Sequence, residues 1–188
     1  MKNFKHVVLG GVLGSMALVS VQASAEEDFF APKQNEISMY GSIDNQSQST
    51  SGGPSTSSTV ETIFGQFGHY FKPQIVGTVG VGLMKSGSGG NSTTFTDVSA
   101  GVKYYFKEGR KGDWTPFVMG DVGLSNFSGG GLSGSGVMLD VAGGTTYWVT
   151  ESAGINIDGK YKTERVSVSG TTLTTNHTMV EFGLTLKF

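Results

Sequence analysis

The sequence predicts an all-β protein, an eight-stranded antiparallel up-and-down transmembrane β-barrel, and three observations lead there. First, residues 179–188 read M-V-E-F-G-L-T-L-K-F, with Val180, Phe182, Leu184, Leu186 and Phe188 on every second position. Glu181, Gly183, Thr185 and Lys187 lie between them, and successive strand side chains point to opposite faces, so one face is apolar and the other polar or small. Second, a secretory leader opens the chain. Third, alternating segments that end in aromatics recur about one hairpin apart. A soluble sandwich also alternates; the combination with leader, aromatic strand ends and terminal Phe is what separates a membrane barrel from it.

Lys2 and Lys5 precede an apolar run over residues 7–21 that only Gly and Ser interrupt. Ala23-Ser24-Ala25 supplies the small-residue cleavage pattern before Glu26-Glu27-Asp28. Residues 1–25 therefore read as a signal peptide and 26–188 as one barrel domain. Without the two leader lysines the net charge moves from −2 to −4. The chain has no cysteine, so there is no disulfide framework, thiol nucleophile or lipoprotein-type acylation site. No later stretch is long and apolar enough for a transmembrane helix, but barrel strands pass that test unseen because half of each faces the lumen. Thirty glycines and abundant Ser and Thr suggest disorder, which the regular period-2 pattern and the many aromatics oppose.

The expected strands are 36–44, 60–71, 75–85, 95–106, 115–127, 137–148, 153–165 and 176–188. Most are near the ten or so residues that a tilted strand needs to cross a bilayer, and an even number puts both termini on one side, the periplasmic one. Residues 45–59, 86–94, 128–136 and 166–175 read as polar outer loops. Shorter links, the longest at 107–114, join the strands on the terminus side. Tyr70, Phe71, Tyr104, Phe106, Tyr147, Trp148 and Phe188 close the even-numbered strands, and Trp114 and Phe117 add to the same level. Rings with an apolar body and a polar edge suit the headgroup region, so Tyr70, Phe71, Tyr104, Phe106, Trp114, Tyr147 and Trp148 read as an aromatic girdle.

Six strands and the closing one have a clear phase, with Val79, Val98, Val122, Leu139 and Ile155 among the outward residues. The second strand is mixed, since Glu61 and His69 share a face with Ile63 and Phe67 while Gln66 shares one with Phe64 and Tyr70, and its phase stays open between a regular strand and one with a bulge. Lys103, Asp121, Asp140, Asp158, Lys160, Lys162, Glu164, Glu181 and Lys187 fall on the inward phase, and Lys85 on the apolar one at a strand end. Folding the hairpins sets Lys160 opposite Glu181 and Asp140 opposite Lys160 or Lys162, with Asp121 beside Asp140. The expectation is an interior ion-pair network of Asp121, Asp140, Lys160, Lys162 and Glu181, because an eight-stranded lumen is filled by its own side chains and buried charges must pair. The excess of acid keeps a narrow cation-preferring path as the alternative.

No spacing calls for a metal or another cofactor. The Gly-rich runs at 87–90 and 129–136 precede no helix that could cradle phosphate. The outer loops carry almost no charge, which gives nucleic acid or another polyanion no basic cluster to grip, and no surface ligand is specified.

Together, Ala23-Ser24-Ala25, the aromatic strand ends and Phe182-x-Leu184-x-Leu186-x-Phe188 resemble the small eight-stranded outer-membrane barrels of the OmpX type and the OmpA membrane domain. The resemblance spans nearly the whole mature chain. It implies the bacterial outer membrane as the location, with its lipids and lipopolysaccharide as surroundings. It implies that Val180, Phe182, Leu184, Leu186 and Phe188 are read by the outer-membrane assembly machinery. It implies a non-enzymatic structural or surface role, with adhesion or stress resistance by analogy. The chain is expected to stop at the barrel, without the peptidoglycan-binding domain of full-length OmpA-type proteins. Some small barrels of this kind act on lipid A or phospholipid with a Ser/His/acid set. Here His177 shares a face with Glu181, but Met179 stands where the lipid A deacylases place serine, and no catalytic residue is expected.

Overall fold

The computed structural model describes residues 34–50, 56–88, 91–168 and 170–188; the expected signal peptide lies outside the described residues. The strands are β1 (Asn35–Thr50), β2 (Thr56–Lys72), β3 (Ile75–Ser88), β4 (Asn91–Tyr105), β5 (Trp114–Gly129), β6 (Leu132–Trp148), β7 (Ala153–Val168) and β8 (Thr171–Lys187). Each pairs antiparallel with its chain neighbours, and β1 pairs with β8, so the sheet closes. Closure leaves no unpaired sheet edge, the condition for backbone to sit in lipid. Main-chain bonds between Asn35 and Phe188, 2.8 and 3.0 Å, complete the seam at the termini.

Following the register once around from Ile37, through Phe67, Val79, Ala100, Val122, Leu139 and Thr163, arrives at Asn176. The partner of Ile37 on β8 is Leu186, so the stagger on closure is ten residues. Such a stagger on eight strands forces a steep tilt, near the upper end of the roughly 35–45° usual for barrels. The strands are 14 to 17 residues long, more than the ~9–11 that cross a bilayer. The surplus stands at the end away from the termini, the crown. On β8 the outward Phe188 to Val180 give way to Thr178, Asn176 and Thr174, and on β5 Val122 and Leu124 give way to Asn126 and Ser128.

The expected outer loops are therefore mostly strand. Residues 45–50, 91–94, 132–136 and 171–175 all continue the ladders. Above a membrane both faces of a strand meet water, so the apolar alternation stops while backbone pairing continues, and threonine is itself a good strand former. The β5–β6 crown hairpin turns on Gly130 and Gly131, with φ of 59° and 77°. Two successive positive φ values are what a two-residue hairpin needs to match strand twist, and glycine adopts them without strain.

β2 has a single phase. Glu61, Ile63, Phe67 and His69 face outward and Thr62, Phe64, Gln66 and Tyr70 inward, with a register irregularity only between Tyr70 and Lys72. Lys85 faces outward directly across from Glu61, and Arg165 is also outward, at the crown end of β7.

Candidate functional site

The interior holds the charged chemistry, and contacts divide it into three tiers. At the floor, by the termini, Glu36 of β1 is the hub. Its Oε1 accepts from Lys103 Nζ at 2.7 Å, and its Oε2 accepts from the Tyr70 and Tyr105 hydroxyls at 2.6 and 3.2 Å. Lys103 also donates to Tyr40 Oη, and its ammonium lies 5.3 Å from the Phe117 ring centre. Lys187 sits 4.1 Å above the Trp148 ring, whose Nε1 donates to Thr115 Oγ1 at 3.1 Å. Burial strengthens both the charged hydrogen bonds and the cation–ring contacts. A hydroxyl and amide chain, Thr146 to Asn156 to Thr185, lies beside this hub, with Ser38 against Thr185. The 106–113 link folds beneath, where a Cβ on Gly109 would collide with Trp148 Nε1 and Thr115 Oγ1.

Tyr70 and Trp148, expected in the lipid-facing girdle, are thus in the lumen, as is Phe117. The reason is the two-residue period. Tyr70-Phe71 and Tyr147-Trp148 are sequence neighbours, so only one ring of each can face lipid. Phe71, Tyr104, Phe106 and Trp114 are exposed outward and Tyr147 half-exposed; Trp114 packs on Tyr147 with ring centres 5.0 Å apart, and Tyr104 on Phe106 at 5.4 Å.

In the middle tier Lys160 Nζ lies 2.7 Å from Glu181 Oε2 and 4.6 Å from the Phe64 ring centre. Asp121 stands directly across β5–β6 from Asp140, and Asp158 directly across β7–β8 from Glu181. Thr78 donates to Asp121 Oδ1 at 3.0 Å. A Cβ on Gly101 would strike the Asp121 carboxylate, so that glycine makes its space.

The expected network divides here. Asp140 is opposite Lys162 in register, yet Lys162 turns toward the crown to contact Asp97 and Glu164. Among the described residues Asp140 has no ion pair, and its Oδ1 has no hydrogen-bond partner. Asp97 on the far wall and Glu164 two positions along β7 hold Lys162 together, and pairing along neighbouring strands cannot reveal a partner on the far wall.

The crown tier centres on Glu164. Its Oε1 lies 2.6 Å from Lys162 Nζ and accepts from Ser125 Oγ at 3.1 Å, while its Oε2 is 3.2 Å from His177 Nε2. His177 therefore meets Glu164, not Glu181. Val60, Met84, Phe95 and Val166, with Phe127 and Val168 against them, form a buried apolar cluster at this end of the lumen. A cavity of about 20 Å³, bordered by Asp97, Asp140, Lys160, Lys162 and Glu181, separates this tier from the middle one. It has room for roughly one water.

Glu36, Asp97 and the role of Lys103 escaped the sequence reading. Glu36 was visible as the first inward-phase residue of β1, in step with Ser38 and Tyr40, but its partner is on β4, three strands away.

No protein-family model matches the sequence, and no curated protein matches it. Solved structures do match the fold. Neisserial surface protein A superposes with a TM-score of 0.62 at 16% identity, covering 81% of this chain and 97% of that one. The outer membrane protein OprG from Pseudomonas aeruginosa gives 0.54 at 14%, covering 84% and 96%. The attachment invasion locus protein Ail of Yersinia pestis, in complex with the heparin analogue sucrose octasulfate, gives 0.51 at 13%, covering 84% and 100%. The fold is that of the small eight-stranded outer-membrane barrels. In this barrel the outward apolar residues form the lipid-facing belt, and the three ionic tiers lie inside it.

Proposed function

We propose that the protein is a non-enzymatic integral protein of the bacterial outer membrane, with a side-chain-filled lumen and a structural role at the envelope surface. One observation carries this: among the described residues, buried tiers follow one another from the Glu36–Lys103 hub to the Val60–Phe95–Val166 cluster. A lumen of eight strands is just wide enough for side chains to fill. A rigid, capped barrel presents its strand-built crown, which supports adhesion or stress resistance as the wider role. The fold itself carries no function with it. Outer-membrane lipids and lipopolysaccharide contact the belt. The assembly machinery reads Val180, Phe182, Leu184, Leu186 and Phe188.

The order of contacts in the crown tier supports the absence of catalysis. In a nucleophilic triad the imidazole stands between hydroxyl and carboxylate and takes the hydroxyl proton. Here Glu164 stands between Ser125 and His177, so the base cannot reach the hydroxyl through it. All three are buried below the crown. A basic cluster for polyanions is also lacking among the described outward crown residues, where Glu61 accompanies Lys85 and Arg165.

Single-channel recording of the refolded mature chain in a planar bilayer tests the reading. The filled barrel gives no steps in wild type. Steady cation-selective steps that Glu181→Ala alters would establish a narrow channel instead.

A further inference from the structure

Among the described residues the outer face of β6, β7 and β8 carries one charge, and that charge stands at a boundary. Arg165 is exposed and lies directly across from Val137, the last apolar outward residue of β6 before Ser135 and Ser133. Its partner on β8 is Thr174. The guanidinium therefore sits where the lipid-facing belt ends. The carboxylates of these three strands, Asp140, Asp158, Glu164 and Glu181, are all buried inward, so none of them is on this face to receive it. Lys85 on the opposite wall differs, because Glu61 is directly across from it. The groups around Arg165 are donors. Thr163 precedes it by two positions on the same face, and Asn176 is directly across from Thr163. The exposed Tyr161 donates its hydroxyl to Asn176 Oδ1 at 3.2 Å, which leaves the amide NH₂ as the free end. Arg165, Asn176 and the hydroxyls of Thr163 and Thr174 thus form a patch rich in donors and without an anion, which suits an acceptor-only group such as phosphate. Below the patch the belt is bare. Gly159, two positions from Tyr161, faces Gly143 across the β6–β7 pairing, and a Cβ on either would meet nothing within 4 Å. That lane of surface, beside Val141 and Val180, has room for an acyl chain.

We propose that this face of β6–β8 binds a phosphorylated glycolipid of the outer leaflet, lipopolysaccharide, with a phosphate on Arg165 and Asn176 and its acyl chains against the belt below. The assignment rests on the outer-membrane siting proposed above. Charge complementarity selects the occupant: a planar guanidinium matches phosphate with paired hydrogen bonds. A single guanidinium grips one phosphate, in keeping with the lack of a basic cluster for polyanions. With no described carboxylate on this face for a divalent cation to bridge, the contact is direct.

The test is lipid retention by the refolded barrel in detergent with EDTA present, counted by native mass spectrometry during titration with deep-rough lipopolysaccharide (lipid A with its innermost sugars). Wild type should retain the lipid, and Arg165→Gln should weaken retention by about tenfold or more, the worth of hydrogen bonds to a charged group. Lys85→Gln should leave it unchanged. Lipid stripped of its phosphates should bind wild type no better than intact lipid binds Arg165→Gln. Equal retention by Arg165→Gln and wild type overturns the proposal. An equal loss in Lys85→Gln does the same, because it would show attraction to positive charge anywhere on the rim. Both substitutions are at exposed positions, and the gel shift of a folded barrel on heating checks that each variant folds. If Arg165→Gln does not fold, the wild-type comparison decides: indifference to phosphate removal overturns the site. A wild-type barrel that inserts into phospholipid vesicles yet retains no lipopolysaccharide refutes this site alone, whereas failure to insert refutes the outer-membrane reading beneath it.

Discussion

The two faces of these strands obey opposite rules. The outward face is uniform: Val79, Val98, Val122, Leu139 and Ile155 all meet the same solvent, and each is about half exposed. A residue there is judged by its own polarity and depth, with no particular partner. The inward face is specific. Lys103, Lys160 and Lys162 are almost wholly buried, and each is tolerated only because a named carboxylate on another strand receives it. Substitutions on the outward face should therefore grade smoothly with depth. Those in the lumen should be all-or-none and reversible by changing the partner.

The largest effect should come from the floor. Lys103→Met leaves Glu36 buried with only tyrosine donors, and breaking a buried pair from one side costs about 3–5 kcal/mol. Adding Glu36→Gln should restore most of that, measured as urea midpoints in detergent. A double variant as unstable as the single would show that Lys103 acts by packing alone. Next, Val122→Lys on the belt should cost roughly 2–4 kcal/mol in lipid vesicles, against about 0–1 for a lysine near the interface, as in Ser128→Lys on the same strand. Equal costs at the two depths would refute the belt. The smallest effect belongs to the buried indole. Trp148→Phe removes its bond to Thr115 and should cost about 0.5–1.5 kcal/mol, with little change for Trp114→Phe. The same variants separate the two aromatic populations optically. Brominated lipid should quench Trp114 when it is the remaining tryptophan and spare Trp148, and the reverse would return Trp148 to the girdle.

Much of the architecture could be read directly. All eight strands lie where the alternation and aromatic ends put them, because lipid, polar lumen and strand geometry act on each residue separately. The crown was read as loop for the same reason: once both faces meet water, the alternation that marks a strand disappears although the ladder does not. Adjacent aromatics misled in a different way, since Tyr147-Trp148 shows that two rings belong near one rim but not which of them faces lipid.

The sequence by itself determined strand number, antiparallel order and the sorting of charges inward, all consequences of a two-residue period under a membrane boundary. Only the tertiary structure decided who meets whom: Glu36 with Lys103, Lys162 with Asp97, His177 with Glu164. The first two contacts cross the lumen, where closure with a stagger of ten residues sets which levels face one another, and the third runs diagonally between the neighbouring strands β7 and β8. Local pattern records the face that a side chain takes, while closure of the cylinder selects its partner.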